Sequence, residues 1–144
     1  MGRFFILAMT VILLAACGHR AAPTQSIAAP TPGDVALRIT AADAGKAVTV
    51  PVGSRFAVEL VGVPTAGYLW APASIPPFLI AADTLGGPTH SDQLKPGFTG
   101  GSHWEVFVFE ALAAGSGDLV IEQRRPWETD EPPVDTFAVT IEAR

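Results

Sequence analysis

The side chains of this chain that could do chemistry are few. His90-Ser91-Asp92 and Ser102-His103 supply hydroxyls, imidazoles and a carboxylate. These are the parts of a nucleophilic triad. Catalytic groups are assembled by folding, however, so adjacency in sequence does not by itself make a site. His90 and Asp92 are also possible metal ligands, but two ligands in a loop fall short of the set a zinc site needs. Cys17 is the single cysteine. An intramolecular disulfide and a Cys-ligated zinc cluster are thereby excluded, and no thiol nucleophile lies beyond residue 17. The expectation is a protein that is not an enzyme and holds no metal or cofactor.

Cys17 points to chemistry of another kind. Arg3 gives the chain a positive start, and Phe4 to Leu14 is an apolar run too short for a comfortable permanent span. It closes on Leu14-Ala15-Ala16-Cys17, which resembles the lipobox of bacterial lipoproteins, where the chain is cut before the cysteine and the thiol is lipidated. Residues 1–17 are therefore expected to be a lipoprotein signal segment ending at the lipidated, palmitate-bearing Cys17. The protein is expected in the bacterial cell envelope, held to the membrane by the lipid. Gly18 rather than Asp follows the cysteine, which favours the outer membrane. Residues 18–33 are small, polar and proline-rich, as in Pro23-Thr24-Gln25-Ser26 and Pro30-Thr31-Pro32-Gly33, and read as a disordered tether. The folded domain is expected over 34–144.

Composition bounds what that domain does. The chain has 144 residues, room for one domain with a core, and a formal charge of −5. Loss of Arg3 with the leader makes this −6. The basic residues are scattered, with no run longer than Arg124-Arg125, so no nucleic acid is expected as a partner. Thirteen prolines and fourteen glycines predict many turns. From Asp34 onward the apolar residues alternate: Val35, Leu37 and Ile39; Val48 and Val50; Phe56, Val58 and Leu60; Leu119 and Ile121; Phe137, Val139 and Ile141. Trp104 to Phe109 is apolar on both faces and reads as a central strand. Leu85–Gly101 reads as a long mobile loop, Ala113–Gly117 as a hairpin turn and Arg125–Val134 as a second proline-rich loop. Seven or eight strands with turn signals every eight to twelve residues predict an all-β, immunoglobulin-like antiparallel β-sandwich.

Three loops stand out. In Val63-Pro64-Thr65-Ala66-Gly67-Tyr68, Pro64 fixes its own φ and Gly67 permits a positive one, so a stiff, thin tip is expected. Phe98-Thr99-Gly100-Gly101 precedes the central strand and permits close backbone approach by a partner. Arg125-Pro126-Trp127 sets an aromatic among charges, and Trp and Arg are the residues most enriched at binding hot spots. If the strands alternate up and down, all three share one end.

Taken together these motifs resemble the chagasin-type inhibitors of papain-like cysteine peptidases, over about residues 35–144. The family's Asn-Pro-Thr-Thr-Gly-Tyr maps onto Val63 to Tyr68, its Gly-x-Gly-Gly onto Phe98 to Gly101, and its Arg-Pro-Trp onto Arg125 to Trp127. Val63, Ala66 and Phe98 depart from the pattern. The resemblance implies an immunoglobulin-like sandwich whose loops wedge reversibly into a peptidase cleft. Pro64, Thr65, Ala66, Gly67, Tyr68, Gly100, Gly101, Arg125, Pro126 and Trp127 would be the contact residues. The implied partner is a papain-like cysteine peptidase, bound by a monomer. The alternative is an envelope lipoprotein that uses the same loops to bind another protein without inhibiting it.

Overall fold

Each run of alternating apolar residues becomes a strand in the computed structural model, which describes residues 24–144; the lipobox, Cys17 and the first residues of the expected tether lie outside the described residues. The strands are β1 (Leu37–Thr40), β2 (Ala47–Val50), β3 (Arg55–Gly62), β4 (Leu69–Ser74), β5 (Leu79–Pro88), β6 (His103–Ala111), β7 (Gly115–Arg124) and β8 (Asp135–Ala143). They form two four-stranded sheets, ordered β1-β3-β6-β5 and β2-β8-β7-β4. β6 pairs antiparallel with β3 and with β5, and β7 pairs antiparallel with β8 and with β4. The edge strands β1 and β2 pair in parallel, with β3 and β8 respectively. The chain climbs one edge as β1, turns through a single 3-10 turn at Ala41–Asp43 and descends the other sheet as β2.

Period-two alternation decides what fills the sandwich. Phe56, Val58 and Leu60 of β3 and Phe107 and Phe109 of β6 face Leu119, Ile121, Phe137, Val139 and Ile141 from the other sheet. The Phe56 and Phe109 rings stack with centroids 5.6 Å apart. On the outer face of the first sheet, Ala57, Val106 and Val108 are equally buried, under Ala29, Val35 and Leu85. This second cluster explains why β6 is apolar on both faces. It is a central strand with cover on both sides.

That cover corrects the expectation of a disordered tether over 18–33. Its described part, 24–33, is laid along the sheet and hydrogen-bonded to it. The Ile27 amide donates to the Thr89 carbonyl at 2.8 Å, and the Trp104 indole donates to the Ile27 carbonyl at 2.7 Å. Prolines and small residues do not build a core of their own, but they can cover one. The expected mobile loop at Leu85–Gly101 is also shorter than its composition suggested. β5 runs through Gly86-Gly87 to Pro88, because these residues ladder against Glu105, Trp104 and His103. Ala113–Gly117 is not a hairpin turn. β6 and β7 lie in different sheets, and Gly115 opens β7 with the Phe78 ring packed where a side chain would stand.

Candidate functional site

The register fixes where the loops lie. Gly62, the last residue of β3, pairs with His103, the first of β6, and Leu69, the first of β4, pairs with Arg124, the last of β7. Pro88 at the end of β5 also pairs with His103. The connections 63–68, 89–102 and 125–134 therefore leave one end of the sandwich, as the alternation of strands required. The first of them crosses from one sheet to the other, since β3 and β4 are not partners.

The first loop is a single 3-10 turn, Pro64–Ala66, with Pro64 at its first position. The Ala66 amide donates to the Val63 carbonyl at 3.0 Å and the Gly67 amide to the Pro64 carbonyl at 2.9 Å. Gly67 then takes φ 81°, a left-handed conformation that disfavours any side chain. A bridge between Val63 and Tyr68 closes the base. Thr65 and Ala66 stand exposed at the tip.

The third loop is docked onto the first. The Trp127 ring lies across Gly67: a Cβ there would be 2.9 Å from Trp127 Cζ2 and closer still to Cη2. Arg125 Nε donates to the Ala66 carbonyl at 3.1 Å, and its guanidinium sits 4.5 Å from the centroid of the Tyr68 ring. The other side of the guanidinium pairs with Glu128 at 3.0 Å, a hydrogen bond that holds the Arg125 pKa above its ordinary value. Trp127 nonetheless remains 67% exposed. One face of its indole braces the tip, and the other is exposed.

The second loop leaves the same end, and among the described residues no hydrogen bond ties it to this pair. Gly100 and Gly101 take φ 86° and 97°. Gln93 clamps the neck of the loop: its Oε1 accepts from the Thr89 and His90 amides at 2.6 and 3.0 Å, while its Nε2 donates to the Ser102 carbonyl at 2.6 Å. Phe98 turns its ring edge-on to His90 at 5.6 Å and is 40% exposed. Of the candidate catalytic groups, Ser91, Asp92 and Ser102 are hydrogen-bonded to neighbours, whereas His90 Nδ1 is buried without a partner. Asp92 takes hydrogen bonds from Thr24 and Lys95, which hold its carboxyl below the usual range, and Ser91 Oγ accepts from the Gln25 amide at 3.1 Å. Among the described residues, no cluster of three or more His, Cys, Asp or Glu is placed to hold a metal ion.

Glu105 and Gly62, which sequence reasoning passed over, support the tip together with Trp70. Glu105 shares the core-facing parity of Phe107 and Phe109, and its Oε2 accepts the Trp70 amide at 2.9 Å. Its Oε1 is buried without a partner. Burial raises the Glu105 pKa, against the opposing effects of the Trp70 amide and His103. The carboxylate fits because residue 62 is glycine: a Cβ there would lie 2.9 Å from Glu105 Cδ and closer to Oε1. The Trp70 indole reaches back to donate to the Val61 carbonyl at 3.0 Å. The strand after the tip is thus bonded to the strand before it, across the two sheets. The signal was present in sequence as a lone carboxylate at a core-parity position of the most apolar strand. Beside this strut an open cavity of about 440 Å³ is lined by Ala41, Ala42, Val61, Trp70, Trp104 and Phe137.

Solved structures share this architecture. A cysteine protease inhibitor of Entamoeba histolytica, EhICP2, superposes with a TM-score of 0.64 at 15% identity, covering 75% of this chain and 96% of its own. The solution structure of Amebosin gives 0.58 at 23% identity, covering 75% and 97%. At these identities the likeness establishes the fold. No curated protein matches the sequence. The sequence profile described as "Chagasin family peptidase inhibitor I42" matches residues 49–141, a span that runs from β2 to β8 and takes in all three loops. The chain belongs to the chagasin family of peptidase inhibitors.

Proposed function

We propose that this protein is a reversible inhibitor of papain-like cysteine peptidases that works by occlusion, without chemistry of its own. The observation that carries the reading is the docking of Arg125 and Trp127 onto the tip at Ala66–Gly67. It turns two loops into one preorganised wedge, and a binder that is already ordered loses less entropy on association. Thr65-Ala66-Gly67 enters the cleft above the peptidase thiolate–imidazolium pair. The exposed face of Trp127 packs on one wall, and Gly100-Gly101 lies along the other with its backbone close to the partner. In this reading no bond is formed or broken between wedge and peptidase, so the complex is reversible. An interface of this class buries about 1,600 Å² in total, and fit rather than area sets its strength.

The same proposal places the protein at the membrane, with the lipid on Cys17 and the inhibitory domain outside the bilayer. The test of inhibition is a progress-curve assay of the protein against papain, with mass spectrometry of the mixture afterwards. Saturable, reversible inhibition with the chain left intact supports the reading. Full peptidase activity at micromolar protein, or cleavage within 63–68, refutes it.

A further inference from the structure

The matched family region begins at residue 49, yet the chain is packed from Thr24 onward. Thr24 donates to Asp92, and the Gln25 amide donates to Ser91 Oγ at 3.1 Å. The Ser91 amide in turn donates to the Gln25 carbonyl at 2.8 Å, Ser26 bridges His90, and the Ile27 amide donates to the Thr89 carbonyl at 2.8 Å. The strap then crosses the outer face of the sheet. Ala29 joins the cluster over Val106 and Val108, Pro30 lies on Gly87, and Thr31 donates to Glu59. Four successive residues of the second loop, Thr89 to Asp92, are thus held from outside. The loop's internal clamp at Gln93 holds the other side of the same stretch.

We propose that the strap Thr24–Thr31 is a positioning element of the inhibitory surface, which orders the second loop so that Gly100-Gly101 are presented to the peptidase. The inference rests on the occlusion reading above. Its physical basis is that 89–102 is the longest connection at the loop-bearing end and is built around three glycines at positive φ, Gly97, Gly100 and Gly101. Such a segment loses much freedom on binding unless it is already ordered. The first and third loops order each other. The second has no such partner and uses the strap in its place.

The test uses the full chain and two substitutions in the strap's bonding. Ile27→Pro removes the amide that donates to Thr89. Trp104→Phe keeps an aromatic ring but removes the donor to the Ile27 carbonyl. Hydrogen exchange, thermal melts, and association and dissociation rates with papain are measured for each. Faster exchange at the amides of Ser91, Gln93, Lys95 and Phe98, with β7 and β8 unchanged, is expected for both variants. The inhibition constant is expected to rise by about fivefold to tenfold, the effect of losing one ordering hydrogen bond. Should Ile27→Pro not fold, Trp104→Phe carries the test. Unchanged exchange in 89–102, or increased exchange with wild-type inhibition, overturns the proposal. A wild-type protein that fails to inhibit refutes the occlusion reading and the strap's inhibitory role together. Failure of the strap alone is recognised by a wild type that inhibits and variants that match it.

Discussion

Gly67→Ala tests the contact on which the wedge depends. Two separate terms act at this position. The first is backbone strain: alanine at φ 81° is expected to cost about 1–2 kcal/mol. The second is steric, because the new Cβ meets the Trp127 ring and must push it aside. Trp127 is 67% exposed, so about a third of its surface is covered. A third of a large aromatic's area is roughly 80 Å², worth about 2 kcal/mol at about 25 cal/mol per Å². Displacing the ring loses most of that. Gly67→Ala should therefore destabilise the protein by about 2–4 kcal/mol in the wild-type background, but by only the strain of about 1–2 kcal/mol in a Trp127→Ala background. The thermal midpoint should fall by roughly 4 °C per kcal/mol for a domain of this size. The assay is a double-mutant cycle by thermal and urea unfolding, with inhibition of papain measured in parallel. Equal penalties for Gly67→Ala with and without Trp127 would refute the reasoning, since the two loops would then not be in contact.

Trp127→Ala is expected to weaken inhibition by about 2 kcal/mol or more, roughly thirty-fold, and to lower the thermal midpoint by roughly 8 °C as the same covered area is lost; equal inhibition constants for variant and wild type would remove Trp127 from the wedge. Ala66→Thr, which restores the family's hydroxyl at the tip, should keep or improve the inhibition constant in the same assay. Glu105 has its pKa raised by burial, so its protonated form is the one the fold favours. Its contribution to stability is present below the ordinary glutamate value and is lost as pH rises through the raised value. Glu105→Gln keeps an acceptor for the Trp70 amide without the charge, so the variant should gain on the wild type in melts as pH goes from acid to neutral; a constant difference across that range would disprove it. Cys17→Ser should release the protein from the membrane fraction, and a wild type recovered soluble with an unmodified thiol would dispose of the anchor. Thr24 lies at the loop-bearing end, and seven residues span at most about 25 Å, so on vesicles the anchored protein should meet papain more slowly than a released one; equal rates would show that the strap lets go.

How much could be read from the sequence depended on how local the physics was. Strand alternation is a property of neighbours, and it placed the core residues Phe56, Val58, Leu60, Phe107 and Phe109 on the faces where they lie. The tip was legible for the same reason, because Pro64 and Gly67 act on their own φ angles. What failed was long-range. Ala29 and Pro30 look like linker residues until the outward faces of Val106 and Val108 need cover, and nothing within ten residues of them shows that need. Gly115 looks like a turn residue because its use is to admit Phe78 from another part of the chain. The two-faced character of β6 did contain the missing information. A strand buried on both sides in a two-sheet sandwich demands a third layer, and in this chain Ala29, from the segment read as a tether, supplies it together with Val35 and Leu85. The lone Glu105 carried a similar demand. A carboxylate at core parity needs a donor and a space, and the space had to be a glycine on the paired strand. Gly62 stands two residues from Leu60, which pairs with Glu105, on the same face. Read as pairs across the ladder rather than as single positions, Leu60, Gly62 and Glu105 become one support beneath the tip.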